Sequence, residues 1–174
     1  PFTISLWFMP KTSYAKENGT GAGATTSRIL VSRGAAFDAF QSNDVAGGLE
    51  YWIQHVQNAS TPNESSIKVR LADTHHNSYV EKVGRLSVGS PFVHVNWYHV
   101  VATYDGRGGE TAHEGIRIYI NGVDVTLDNH SENGVYKSMV ARSTNALVVG
   151  NIPGNYKFVA SSTGLPDYLN AEGD

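Results

Sequence analysis

The chain has 174 residues, a formal net charge of −3 and 40% hydrophobic residues, which suits one domain with its own core. The absence of a basic excess argues against a nucleic-acid partner, and the absence of cysteine excludes disulfides, zinc–thiolate sites and a thiol nucleophile. No apolar run reaches the roughly 18 residues that a membrane-spanning helix needs, so we expect no membrane span.

Alternating apolar and polar residues predict short strands along the first half of the chain. The alternation is strict from Phe2 to Phe8, which is typical of a half-buried strand. Further strands are predicted at 28–33, 49–56 and 67–71 and within 79–88, with polar loops between them. In the strand at 49–56, Tyr51 and Ile53 share one face and Trp52 lies on the other.

The second half of the chain continues this pattern. The run from Trp97 to Tyr104 is apolar on both faces, which predicts a central strand covered on both sides. Asn121-Gly122 between 116–120 and 123–125 is typical of a two-residue hairpin turn, and Leu147–Gly150 is a late strand. Short strands without a confident helix predict an all-β, antiparallel sandwich or barrel, formed by a single domain spanning 1–174.

Several segments, in this order, resemble the laminin-G-like domains of the concanavalin A-like lectin/glucanase superfamily. The segments that carry the resemblance are Phe2–Trp7, Ile29–Gly34, Tyr51–Ile53, Trp97–Gly106, Ile116–Val123 and Leu147–Asn151. The resemblance implies an antiparallel two-sheet jelly-roll sandwich. The terminal strands usual in that family find no match here, so we expect this sequence to be a fragment of a longer chain.

A pair of neighbouring carboxylates would indicate a glycoside hydrolase, because the superfamily includes glucanases. Glycoside hydrolysis needs two carboxyl groups about 5–9 Å apart across a sugar site. The glutamates are isolated along the sequence, and we expect solvated surface charges at Glu50, Glu64, Glu81, Glu110, Glu114 and Glu132. The only local histidine cluster is His75-His76, and His99 is expected to be a packed or hydrogen-bonded core residue. We therefore expect no enzyme.

Calcium is the cofactor that the predicted loops could hold. Ca²⁺ prefers several oxygen ligands, and relatives in the superfamily often hold one at the rim of the sandwich. The candidate ligands are Asp105 and Asp73, with Asp38 and Asp44 as further loop aspartates. The alternative for each is turn chemistry, since an Asp side chain in a turn hydrogen-bonds to its own backbone.

Aromatic side chains are the other means of binding sugars, because pyranose rings stack on Trp and Tyr. Trp52 is free to be exposed if Tyr51 faces the core, and Tyr79 lies near a loop, so these two are the predicted carbohydrate-binding residues. The alternative is that Trp52 and Trp7 both pack in the core or under a loop, which is more often true of Trp because it buries a large area.

Three functional hypotheses follow. The first is a non-catalytic carbohydrate-binding or adhesion module of an extracellular or surface-displayed bacterial or phage protein, with a glycan or cell-surface polysaccharide as partner. The second is a structural virion-surface protein, such as a capsid decoration or tail-fibre domain, packed against other subunits. The third is a glycan hydrolase or lyase, which two facing carboxylates in a groove would favour.

Overall fold

The structure, a computed structural model, describes residues 1–10, 25–34, 49–58, 65–73, 75–86, 96–139 and 146–150. Within these ranges the chain forms one 3₁₀ turn, Ala112–Gly115, and ten strands: β1 Phe2–Phe8, β2 Thr25–Gly34, β3 Leu49–Asn58, β4 Ser66–Asp73, β5 Ser78–Gly84, β6 Tyr98–Tyr104, β7 Ile116–Ile120, β8 Val123–Asp124, β9 Thr126–Asn133 and β10 Ala146–Val149. The all-β prediction is confirmed. Among the described residues, no helix has the length and apolar character that crossing a membrane requires.

The strands form two antiparallel sheets. The four-stranded sheet has the order β1-β6-β7-β8, and the six-stranded sheet has the order β10-β2-β3-β4-β5-β9. Their inner faces pack together around an apolar core to which both sheets contribute. Its fully buried members include Ile53, Ile67, Val69, Leu71, Val80, Val100, Ile116, Ile118 and Ile120. A two-sheet sandwich is thus confirmed, while the jelly-roll connectivity and the single domain over 1–174 stay predictions.

Strand β1 shows the predicted alternation. Phe2, Ile4 and Leu6 are half-buried and pack against the core, Phe8 is buried, and the intervening side chains are exposed. A strand with one face on the core and one in water has this two-residue period.

Strand β6 is central, but only one of its faces is buried. It lies between β1 and β7, as predicted. Tyr98, Val100, Ala102 and Tyr104 are buried, whereas the side chains between them, including that of Val101, are only half-buried. The expectation that both faces are covered is wrong, because the apolar residues of one face lie on the outside of the sandwich. The strand also begins one residue later than expected, after Trp97.

A pair of valine truncations should distinguish the two faces of β6. Val100→Ala should lower the free energy of unfolding by about 2–3 kcal/mol, because Val100 is fully buried and its truncation leaves a cavity. Val101→Ala should cost about 1 kcal/mol or less, because its side chain already contacts water. Urea unfolding of both variants measures the difference. Equal losses would contradict the assignment of the two faces.

The hairpin between β7 and β8 is confirmed. Asn121 and Gly122 both have positive φ angles, 51° and 83°, as a type I′ turn requires. After β8 the chain changes sheets at Val125, whose amide donates to the carbonyl of Ile118 (2.9 Å). It then runs as β9 along β5 in the six-stranded sheet.

Strand β9 was not expected from the sequence. Six of its eight residues are exposed. A strand with so little buried surface has no apolar alternation to signal it. Pairing with β5 holds it in place, and this pairing is visible only in the folded chain.

Candidate functional site

The two predicted carbohydrate-binding aromatics lie on the same face of the six-stranded sheet, joined by an arginine. Trp52 on β3 is the register partner of Arg70 on β4. The guanidinium carbon of Arg70 lies 4.5 Å from the ring centroid of Trp52 and 4.1 Å from that of Tyr79. Arg70 therefore makes cation–π contacts with both rings and occupies space that a stacked sugar would need.

Glu81 on β5 completes this group, which we call the arginine cluster: Trp52, Lys68, Arg70, Tyr79 and Glu81. Its Oε2 accepts a hydrogen bond from Nε of Arg70 (2.9 Å), and its Oε1 accepts one from Nζ of Lys68 (3.2 Å). Glu81 is only 4% exposed. Burial of this carboxylate is tolerated because two cations compensate its charge.

The expectation of solvated glutamates is therefore wrong at two positions. Glu81 is buried as described, and Glu50 on β3 is 3% exposed with Oε2 3.2 Å from Nε of Arg33. Glu110, Glu114 and Glu132 are exposed as expected. Glu64 lies outside the described residues.

Trp52 faces away from the core, but it is not exposed. Tyr51 stacks on Phe2 toward the core, with ring centroids 5.2 Å apart, so Trp52 points outward as predicted. Its side chain is nevertheless buried, with a relative exposure of 9%, and Tyr79 is 5% exposed. The expectation that Trp52 is an exposed anchor is wrong. The carbohydrate-binding role assigned to Trp52 and Tyr79 stays a prediction.

Asp73 ends β4 and organises the turn that follows. Its Oδ1 accepts hydrogen bonds from the backbone amides of His75 (3.1 Å) and His76 (3.2 Å). Its Oδ2 contacts Nδ1 of His76 (2.7 Å) and accepts a bond from the amide of Ser138 (3.3 Å). Burial by itself would raise the pKa of Asp73, but the hydrogen bonds from His76 and Ser138 outweigh it and lower the pKa. The contacts with His75 and His76 are those of the turn-chemistry alternative, whereas the bond from Ser138 ties the turn to a distant segment of the chain.

Asp105 follows β6 and borders an open cleft of about 420 Å³. Its Oδ1 accepts a bond from the amide of Arg107 (3.0 Å), and its Oδ2 accepts one from Nε of the same residue (2.7 Å). Nη1 of Arg107 also donates to Glu114 (3.0 Å). The hydrogen bond from the Arg107 amide, together with its guanidinium, lowers the pKa of Asp105.

Neither aspartate belongs to a cluster of potential metal ligands. In the described ranges, no group of three or more His, Cys, Asp or Glu side chains includes Asp73 or Asp105. Each carboxylate instead accepts bonds from its own neighbourhood. Asp38 and Asp44 lie outside the described residues, so the calcium site stays a prediction.

The outer face of the four-stranded sheet carries an aromatic group that the sequence did not single out. Trp7 is 63% exposed and stacks on His99, with ring centroids 4.9 Å apart and an interplanar angle of 27°. Oγ of Ser5 lies 2.7 Å from Nε2 of His99. We call Ser5, Trp7 and His99 the tryptophan face.

Strand register explains the tryptophan face. Trp7 on β1 is the register partner of His99 on β6, and Ser5 is the partner of Val101, which in turn pairs with Tyr119 on β7. These side chains share the outer face because Phe8 and the other inward residues face the core. The alternative that Trp7 packs in the core and the expectation that His99 is a core residue are wrong, although His99 is hydrogen-bonded as expected.

A second exposed tryptophan lies close in sequence to His99 of the tryptophan face. Trp97 is 60% exposed and precedes His99 by two residues. Alternation predicted an outward position for Trp7, but it could not show whether another layer covers that position. The sequence signal that could have identified the tryptophan face is the outward position of Trp7 in the most strictly alternating strand of the chain.

Comparison with protein-family models, curated proteins and solved structures found no match. The resemblance to laminin-G-like domains therefore stays an expectation drawn from the sequence. A functional proposal therefore rests on the geometry of the tryptophan face and of the Asp105 cleft.

Proposed function

We propose that the protein is a non-catalytic carbohydrate-binding or adhesion module with a laminin-G-like jelly roll, displayed outside a cell or on a virion. The observation that carries the proposal is the indole of Trp7, which is 63% exposed on the outer face of the four-stranded sheet. Tryptophan is a frequent anchor of interaction sites, because its ring offers a large apolar surface and its indole N–H can donate a hydrogen bond.

The surroundings of Trp7 suit a sugar. The indole offers a flat apolar surface for the C–H face of a pyranose, and Ser5, His99 and Tyr119 bring hydroxyl and imidazole groups to the same sheet face. Stacking on His99 holds the ring in place, so less conformational entropy is lost when a ligand binds. The protein's low charge agrees with recognition by stacking and neutral hydrogen bonds.

Asp105 in its cleft is poorly suited to act as the general acid of a glycosidase. A glycosidase needs a general acid whose pKa is raised so that it stays protonated. The pKa of Asp105 is lowered instead, and Arg107 contacts both Asp105 and Glu114. This arrangement argues against Asp105 as the general acid of a hydrolase.

Truncation of Trp7 tests the proposal. A glycan array with the purified protein identifies a ligand, and calorimetric titration of that glycan then compares variants. Trp7→Ala should weaken binding by about fivefold or more, because a central aromatic anchor contributes more than about 1 kcal/mol. Leu147→Ala is the matched control, because Leu147 is 59% exposed on the other sheet.

Two outcomes would count against this assignment. No glycan bound on the array would oppose the function, and equal affinity of wild type and Trp7→Ala would oppose the site. Titration in EDTA examines the calcium prediction separately, since a calcium-dependent site loses affinity when the ion is removed.

An apolar edge supports the structural subunit as a second candidate. Strand β10 pairs with β2 and is the last strand of its sheet in the described part of the chain. Leu147 and Val149 on it are 59% and 76% exposed. Edge strands with exposed apolar residues pair readily with other chains. Sedimentation velocity separates the candidates, because an assembly subunit associates whereas a binding module without ligand stays monomeric.

A further inference from the structure

Three side chains that are distant in the sequence converge where β9 meets the turn Ala112–Gly115. His130 and Glu132 are two residues apart on β9 and therefore share a face of that strand. Their register partners on β5 are Lys82 and Val80, and Val80 lies in the core, so this face points toward the interior side of the sheet. His113 lies on the 3₁₀ turn. We call His113, His130 and Glu132 the histidine–glutamate group.

The spacing of their donor atoms is close to that of a metal site. The rings of His113 and His130 stack in parallel, with centroids 3.6 Å apart and an interplanar angle of 1°. Nε2 of His130 lies 3.7 Å from Oε2 of Glu132, and one donor atom from each residue lies within 4.8 Å of the other two. In a tetrahedral zinc site with bonds of about 2.1 Å, donor atoms are about 3.4 Å apart. The in-plane lone pairs of two parallel rings do not converge on one point, so one imidazole must turn out of the stack to bind the same ion. His130 is the more exposed of the two.

His113 supplies an independent observation. Its Nδ1 is buried and has no hydrogen-bond partner among the residues that the structure describes. A buried polar nitrogen without a partner is costly, and few such atoms occur in native proteins. A metal ion bound at Nδ1 would give this nitrogen the partner that it lacks. The side chains of His130 and Glu132 are 31% and 47% exposed, which leaves an entry path for an ion.

The backbone on both sides of the group is held in place. The amide of Gly109, ahead of the turn, donates to the carbonyl of Tyr136 (2.8 Å). Nζ of Lys82 donates to the carbonyls of Leu127 and Asp128 at the start of β9 (2.9 Å each). These bonds position the ligand-bearing segments before any ion binds, which favours metal affinity.

We infer that His113, His130 and Glu132 bind one divalent transition-metal ion of the Zn²⁺ class, with water in the remaining position. Two imidazoles and one carboxylate suit Zn²⁺, Co²⁺ and Ni²⁺ better than Ca²⁺, which prefers oxygen ligands. This site is separate from the calcium expected at Asp73 and Asp105. The ion would clamp the connection between β6 and β7 to β9 and stabilise a chain that has no disulfide.

Zinc titration of the metal-free protein tests the inference. Calorimetry should show one Zn²⁺ per chain, and the melting temperature should rise with zinc because the ion binds only the folded state. His130→Ala and Glu132→Gln should each weaken zinc binding by about tenfold or more. His75→Ala is the matched control, because His75 is an exposed histidine on another turn. Bound Co²⁺ should show the absorption of a low-coordinate site, and Ca²⁺ should not displace it.

The two ligand variants are on exposed positions, and the melting temperature without metal verifies that they fold. No zinc binding by the wild type at millimolar zinc would overturn the inference. Equal zinc affinity of wild type, His130→Ala and Glu132→Gln would also overturn it, because the ion would then be bound elsewhere. The result does not depend on glycan binding, since no glycan is present in the assay.

Discussion

Arg70→Ala is expected to lower the free energy of unfolding by about 3–5 kcal/mol, among the largest effects of any single substitution in this protein. The Arg70 side chain is 15% exposed and pairs with Glu81, of which only 6% of the side chain is exposed. Its removal leaves a buried carboxylate with Lys68 as its remaining cationic partner in the cluster. It also takes away the cation–π contacts with Trp52 and Tyr79. Urea unfolding at neutral pH measures the loss.

Two controls separate the buried charge from general damage to the sheet. Lys68→Ala should cost about 1 kcal/mol or less, because that side chain is 34% exposed and its ion pair is screened by solvent. The double variant Arg70→Met with Glu81→Leu should recover much of the stability that Arg70→Ala loses, because no buried charge is left unpaired. A double variant no more stable than Arg70→Ala would speak against this account.

Asp73→Ala is expected to cost about 3 kcal/mol at neutral pH. Asp73 is fully buried, and its carboxylate holds the amides of His75, His76 and Ser138 together with the ring of His76. Truncation leaves these donors without their acceptor, and hydrogen bonds to a charged group are stronger than neutral ones. His76→Ala removes only the ring contact and should cost about 1 kcal/mol.

The contribution of Asp73 should also depend on pH. The folded-state pKa is lowered below its ordinary value of 3.8. The carboxylate form therefore stabilises the fold, fully above that ordinary value, and the stabilisation disappears as the pH falls through the folded-state pKa. Wild type should exceed Asp73→Asn in stability at pH 7, and the difference should shrink in acid. A difference that is constant from neutral pH into acid would refute the role of the charge.

Two tryptophans show that strand alternation alone does not predict the exposure of a side chain. Trp7 and Trp52 both occupy outward positions of alternating strands, and the pattern treats them alike. Trp7 is 63% exposed and Trp52 is 9% exposed. Alternation identifies the face on which a side chain lies, whereas its exposure depends on what packs against that face. Only the folded chain supplies that information.

The sequence by itself determined the elements with strong local physical signals. The alternation of Phe2–Phe8 predicted β1 and its buried face, and Asn121-Gly122 predicted a turn that needs two positive φ angles. Tertiary structure decided what local patterns do not encode. Strand β9 exists because β5 pairs with it, although few of its residues are buried. His113 meets His130 and Glu132 because the chain changes sheets after β8, and such a convergence has no signature in residue spacing.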